Sequence, residues 1–179
     1  EFSRFKILCA LKRGPFGVPA INRLAEQVLG DEGLIPRAQP LSNPWYRGRP
    51  VLITRNDYNL GLFNGDIGIT LPDPDSSDDE LHVYFSGSAG EFRRFPIHAL
   101  SEHETVYAMT VHKSQGSEFD HVVLILPDKD YPLLTRELIY TGLTRARQTV
   151  SVWGTESVLR TAILRKIERT SGLREALWT

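Results

Sequence analysis

A dense polar cluster set between two apolar runs constrains this chain more than any other stretch. Residues 110–120 read Thr110-Val111-His112-Lys113-Ser114-Gln115-Gly116-Ser117-Glu118-Phe119-Asp120, with an apolar run at 106–111 leading in and another at 122–126 leading out. The pattern predicts strand, polar turn, strand, which is how an open α/β sheet presents a ligand site at its strand ends. The cluster holds the group types that bind phosphates. Thr110, Ser114 and Ser117 supply hydroxyls, Lys113 a point charge, Gly116 close backbone approach, and Glu118 an acceptor for a sugar hydroxyl. A second cluster follows at 140–147, Tyr140-Thr141-Gly142-Leu143-Thr144-Arg145-Ala146-Arg147.

The rest of the chain reads as scaffold. Short apolar or alternating runs predict strands at 5–10, 50–54, 67–71, 80–85, 91–96, 105–111, 122–126 and 150–153. Apolar residues at helical spacing predict helices at 18–29, 133–147 and 156–168, with Pro19 in the first turn of the first and Gly30 at its stop. Asn64-Gly65 is the strongest hairpin signal. Strands alternating with helices predict an α/β core around a largely parallel sheet, interrupted near 50–101 by a small twisted sheet or partial barrel. That insert is either a binding element or a plain hairpin extension. Trp45 and Tyr46 either pin the irregular stretch 31–49 to the body or stack on a nucleobase. The tail 171–179 is expected to fray or to cap the fold.

Composition narrows the function. A net charge of -1 argues against a uniformly basic nucleic-acid binder. The charge is uneven, however: residues 61–104 hold 9 acidic and 2 basic side chains, and both flanks are mildly basic. Nucleic-acid contact is therefore expected from the flanks, unless the middle segment folds with its acidic loop pointing away. Cys9 is the lone cysteine, which excludes an internal disulfide and a cysteine-based zinc site and fits a reducing, cytoplasmic setting. No run reaches the roughly 18 apolar residues of a membrane span. The opening has neither an initiator methionine nor the form of a signal peptide, so the chain is expected to be a piece of something longer.

Arg145 and Arg147 sit two apart in the helix expected at 133–147, so they face different ways: one reaches a ligand, the other a partner or solvent. A planar guanidinium suits the charge that develops on a transferring phosphoryl group. Arg13, after the first strand, is either a second such cation or a solvated loop residue. Thr110 and His112 are placed to touch a nucleic-acid backbone or base; the alternative for His112 is a loop histidine satisfied by the protein. Gly142 inside a helix costs about 1 kcal/mol against alanine, which predicts close packing there. What is missing matters too. No Gly-x-x-x-x-Gly-Lys-Ser/Thr loop is present, and no strand ends in the Asp-Glu pair that would hold Mg²⁺. These residues make half of a phosphate site and no metal site of their own.

With those residues in view, 110–119 resembles motif V of the superfamily 1 helicases and 140–147 resembles motif VI. Residues 8–17, 50–58 and 62–66 are similar to the RecD branch of that superfamily, whose namesake is the alpha subunit of the repair complex exodeoxyribonuclease V. The resemblance implies a RecA-like, largely parallel α/β sheet with helices on both faces, interrupted by an SH3-like insertion. It implies a second motor domain (2A) over 1–49 and 102–179, and an inserted 2B subdomain over 50–101. It assigns Arg145 as an arginine finger toward the ATP γ-phosphate and Arg13 as the motif IV arginine reaching the same phosphate. It assigns Glu118, with Gly116 and Gln115 shaping its turn, to the nucleotide ribose. Thr110, His112, Lys113 and Ser114, with Arg55, Asn56 and Asn64 of the insertion, are assigned to the DNA strand. It further implies ATP as cofactor, with Mg²⁺ held by a first motor domain that carries the Walker motifs and is absent here. The implied partners are single-stranded DNA, that first domain, and the RecB and RecC subunits, RecB carrying the nuclease of the complex. The implied activity is 5′-to-3′ ATP-dependent DNA unwinding in double-strand-break repair. A scaffold role in a repair complex, a stand-alone helicase of the same branch, and a nucleotide-binding domain unrelated to helicases are the alternatives.

Overall fold

The computed structural model describes residues 4–36, 44–76, 79–87 and 90–167. In chain order the elements are β1 (Phe5–Cys9), α1 (Val18–Asp31), β2 (Pro50–Ile53), β3 (Ile67–Pro72), β4 (Leu81–Ser86), β5 (Phe92–Pro96), β6 (His103–Thr105), β7 (Ala108–Thr110), β8 (Phe119–Ile125), α2 (Arg136–Leu143), β9 (Ala146–Trp153) and α3 (Glu156–Leu164). The fold is α/β. The chain divides into two compact units, Glu1–Lys12 with Thr110–Thr179, and Arg13–Met109.

The first unit is built on parallel strands in the order β1-β8-β9, aligned from Phe5↔His121 to Cys9↔Ile125 and from Phe119↔Ala146 to Ile125↔Trp153. β8 lies between its neighbours, which explains its apolar run: Val122, Leu124 and the following Leu126 are no more than 2% exposed. Each such side chain contributes roughly 1.5–3 kcal/mol by leaving water. α2 and α3 start on threonine caps: the Oγ1 of Thr135 accepts from Leu138 N at 3.3 Å, and that of Thr155 from Val158 N at 3.3 Å. A Cβ on Gly142 would stand 3.2 Å from both Cδ atoms of buried Leu124, so the close packing expected there is present. Lys6 and Cys9 are buried on β1; burial pulls the Lys6 ammonium down to about 8 and pushes the Cys9 thiol up to about 12.

The second unit carries α1 and an antiparallel sheet in the order β5-β4-β3-β2-β6. Its core is Val51, Ile53, Leu62, Val83 and Phe85, with Trp45, Leu60, Phe95, Ile97 and Leu100 packed against it. Period-two alternation in β4 puts Val83 and Phe85 on the buried face. The acidic loop after β3 is tied back by Arg94, whose Nη1 lies 2.6 Å from Asp73 Oδ1 and 2.7 Å from Asp75 Oδ2.

β8 begins at Phe119, three residues before the strand expected at 122–126, and three further elements differ from the sequence reading. The run 105–111, expected as one strand, is β6 and β7, separated at Val106 and Tyr107. The Asn22 side chain supplies hydrogen bonds at the break, donating to the carbonyls of Thr105 and Ala108 and accepting from Ala108 N. The helix expected at 133–147 ends at Leu143, and β9 begins at Ala146. There β-branched Thr149, Val150 and Val152 pair with β8, and tertiary pairing outweighs helical spacing. α3 stops at Leu164, since Arg165 is extended and its guanidinium turns to Asp130 and to the carbonyls of Tyr131 and Leu134. The tail expected at 171–179 lies outside the described residues.

Candidate functional site

The polar cluster folds as a tight coil directly after β7. Ser114 N donates to Thr110 O at 3.2 Å, Gln115 N to His112 O at 3.3 Å, and Ser117 N to Ser114 O at 3.0 Å. Thr110 Oγ1 accepts from Lys113 N at 3.2 Å, and the Ser114 hydroxyl donates to Val111 O at 2.7 Å. Gly116 has φ +83°, where a side chain would be strained, so it closes the coil. The result presents His112, Lys113, Gln115 and Glu118 to solvent, while Ser114 is fully buried and spends its hydroxyl on the coil.

Arg145 stands in the short link between α2 and β9 and joins that link to the coil. Its Nη1 donates to Ser117 O at 3.1 Å, its Nε to Thr141 O at 3.2 Å, and its Nη2 to Thr144 Oγ1 at 3.3 Å. The backbone adds a bond from Phe119 N to Arg145 O at 2.8 Å. The carbonyl that Arg145 holds belongs to the residue before Glu118, so Glu118 and Arg145 share one patch. Arg147, on β9, reaches Glu118 Oε2 with its Nε at 3.0 Å. Strand geometry sets that pairing, and reading 146–147 as helix hid it; the β-branched run after Arg147 was the signal. A cavity of about 750 Å³ opens beside the coil, lined among others by Val111, His112, Gln115, Leu133, Glu137 and Thr141. Spacing gave no hint of it.

The other expected site residues lie in the second unit. Arg13 is exposed in the turn before α1. Arg55 pairs with Glu102 at 3.2 Å. Asn56 and Asn64 meet, Asn64 N donating to Asn56 Oδ1 at 2.8 Å, while Asn56 Nδ2 donates to the Tyr58 hydroxyl at 3.3 Å. Tyr58 is 79% exposed and stands edge-on to Phe63 at 6.2 Å. This turn offers an aromatic face beside a cation and two amides, a set suited to unpaired bases and backbone. Among the described residues no group of three or more His, Cys, Asp or Glu could hold a metal ion, and no helix is long and apolar enough to cross a membrane.

Chemically, the coil and the α2–β9 link offer a carboxylate, a guanidinium and hydroxyls. The carboxylate can accept from a sugar hydroxyl, and the guanidinium and hydroxyls can donate to the outer oxygens of a polyphosphate. They do not supply a full backbone-amide cradle.

The chain is similar in sequence and in fold to known helicase proteins. Residues 105–153, which include the coil and the link, match the UvrD-like helicase C-terminal domain. Over 172 residues, 96% of this chain and 29% of the relative, the sequence is 45% identical to the RecBCD enzyme subunit RecD of Mycolicibacterium smegmatis. It is 37% identical over 177 residues to that of Haemophilus influenzae, covering 99% of this chain and 26% of the relative. It is 33% identical over 174 residues to the ATP-dependent RecD2 DNA helicase of Deinococcus radiodurans, covering 96% of this chain and 23% of the relative. The chain thus spans less than a third of the length of these relatives. In fold it is similar to the Bacteroides Pif1 helicase solved with ADP-AlF3 and single-stranded DNA, with a TM-score of 0.55 and 17% identity over 92% of this chain and 43% of that one.

Proposed function

We propose, on the premise that this chain is a C-terminal part of a RecD-type helicase, that it is half of an ATP-driven DNA motor acting 5′ to 3′ in double-strand-break repair. Arg145 acts as arginine finger and Arg13 as a second cation toward the γ-phosphate. Glu118 takes the ribose, with Gln115 and Gly116 shaping its turn. Thr110, His112 and Lys113 hold the DNA strand, and Arg55, Asn56 and Asn64 extend that grip on the insert. Ser114 supports the grip through the coil that it closes. The observation that carries this reading is the bond from Arg145 to the Ser117 carbonyl. It makes the finger, the ribose carboxylate and the strand-gripping coil one hydrogen-bonded patch within one unit.

ATP, with Mg²⁺ held by a first motor domain, supplies the phosphoryl group whose transfer drives the motor. This chain's own residues orient the nucleotide and stabilise its charge. Arg145, already anchored through two of its bonds to backbone carbonyls, needs little reordering to donate outward, which favours a preorganised role. In a two-domain motor the finger reaches the nucleotide only when the domains close, so domain spacing follows nucleotide state. Phosphate contacts from the coil position the strand without reading sequence. We assign 1–49 and 102–179 to the second motor domain and 50–101 to an SH3-like insertion. The cellular setting is a cytoplasmic complex with RecB and RecC; the 45% identity to the RecD subunit of Mycolicibacterium smegmatis supports that setting.

Strand unwinding by the full-length protein tests the proposal. A duplex with a single-stranded 5′ tail should be opened in an ATP-dependent manner, and one with only a 3′ tail should not. Tight DNA binding without unwinding of either substrate, alone or with the partner subunits, would contradict it in favour of a scaffold role.

A further inference from the structure

Two side chains on one face of α1 clamp the places where the chain enters and leaves the inserted sheet. Asn22 is 7% exposed; its Nδ2 donates to Thr105 O at 2.9 Å and Ala108 O at 3.2 Å, and its Oδ1 accepts from Ala108 N at 2.8 Å. These bonds hold the end at which the chain leaves the sheet. Glu26, one helical turn on, accepts at Oε1 from the Tyr46 hydroxyl at 2.8 Å and from Thr105 Oγ1 at 3.4 Å. The Tyr46 and Tyr107 hydroxyls lie 3.1 Å apart, and Arg49 Nε donates to Thr105 Oγ1 at 3.0 Å. Tyr46 and Arg49 precede β2 and Tyr107 follows β6, so Glu26 holds the place where the chain enters the sheet and the place where it leaves. Val106 N to Pro50 O at 3.1 Å joins the two directly.

The same helix carries Arg13 at its other end. Gly17 N donates to Gly14 O at 3.0 Å, and Ala20 N and Ile21 N both donate to Gly17 O at 3.1 Å, so the Arg13 turn is fastened to the first turn of α1. At the far side, the turn holding Arg55, Asn56 and Asn64 is fastened to the same frame. Thr54 N donates to Glu102 O at 2.9 Å, Gly65 N donates to Ile53 O at 2.9 Å, and Arg55 pairs with Glu102 at 3.2 Å. Apolar packing alone would let a helix slide on a sheet. Directional bonds to a buried amide and a carboxylate fix one register.

We infer that Asn22 and Glu26 are positioning residues that lock the DNA-facing turn of the insert and Arg13 into one rigid body, so that strand engagement at the insert sets the placement of Arg13. The inference rests on the helicase reading above. It treats helix α1 as mechanically part of the inserted sheet, whose motion Arg13 follows. Both residues spend their side-chain bonds on this frame and act through Arg13.

The test is steady-state ATPase of the full-length protein with and without single-stranded DNA. Glu26→Ala should lower the DNA-stimulated kcat about tenfold and leave the DNA-free rate within about twofold. Glu26→Gln, which keeps the acceptor oxygen, should restore most of the stimulation. Tyr46→Phe, a milder lesion that removes one bond to Glu26, should show the same selective loss. A merely structural role would lower both rates in proportion to the folded fraction. In a double-variant cycle, Glu26→Ala should add little to the loss already caused by Arg13→Ala. A wild-type enzyme stimulated by DNA, with stimulation unchanged in Glu26→Ala and Tyr46→Phe or with losses that multiply those of Arg13→Ala, overturns the inference and spares the helicase reading. A wild-type rate indifferent to DNA overturns both.

Discussion

Replacing Arg145 with alanine should loosen the fold around the coil before any nucleotide is involved. The side chain makes two half-buried bonds to carbonyls, Ser117 O at 3.1 Å and Thr141 O at 3.2 Å, and one exposed bond to Thr144 Oγ1 at 3.3 Å. A charge-assisted bond of this kind, screened by nearby solvent, nets about 1 kcal/mol, and the exposed bond close to nothing. The expected loss is therefore about 2 kcal/mol for Arg145→Ala and about half that for Arg145→Lys, which keeps the charge but not the fork. Urea unfolding followed by far-UV circular dichroism measures the global change. Amide exchange at Phe119, whose N–H donates to the Arg145 carbonyl at 2.8 Å, measures the local one. If exchange proceeds by local opening, that amide should speed up about thirtyfold. A loss under about 0.5 kcal/mol with Phe119 exchange unchanged would refute the reasoning that Arg145 braces the coil. The outcome also governs how catalytic data are read, since activity of an Arg145 variant is informative only where the variant remains folded.

Other substitutions probe the packing and the charges. Gly142→Ala gains helix propensity but drives a methyl to 3.2 Å from Leu124, which is fully buried, so a net loss of about 1 kcal/mol is expected in thermal unfolding, and a raised Tm would contradict it. Burial holds Lys6 near 8 against an ordinary 10.5, so between those values the unfolded chain binds more protons and stability climbs with pH, at up to about 1.4 kcal/mol per unit. Cys9, pushed up to about 12 from an ordinary 9.0, opposes that climb above pH 9. The stability of the wild type relative to Lys6→Met isolates the lysine: it should be flat below pH 8 and rise above it, and a difference independent of pH would sink the assignment. Arg147→Ala breaks an ion pair whose partners are 63% and 54% exposed and should change stability by less than about 0.5 kcal/mol in denaturant titration. A larger change would mean that Arg147 holds β9 in place.

The cluster 110–120 was legible because its chemistry is local: a short polar segment between apolar strands has few ways to fold. β8 was readable from Val122 on, where the strand between its two neighbours is apolar, but its start at Phe119 was not, because Asp120 and His121 are polar. The boundary at 144–147 was not legible. Leu138, Thr141 and Arg145 keep helical spacing, and only pairing with β8, a long-range effect, turns Ala146 and Arg147 into strand. The split of 105–111 was hidden for a similar reason, because the bonds that replace the strand ladder come from Asn22, more than 80 residues earlier. The donor types at the site could be read from residue identity. Their current partners, Ser117 O for Arg145 and Arg147 for Glu118, could not, since each bond joins segments about 28 residues apart.

The most direct test of the central claim is the single-stranded-DNA-stimulated ATPase of the full-length protein, wild type against Arg145→Ala, below the unfolding temperature of the variant. If Arg145 is the finger of a two-domain motor, kcat should fall by two or more orders of magnitude, roughly 3 kcal/mol or more of transition-state stabilisation, with ATP affinity changed little. A stimulated rate that survives the substitution in a folded variant would contradict the account and move the scaffold role to the front.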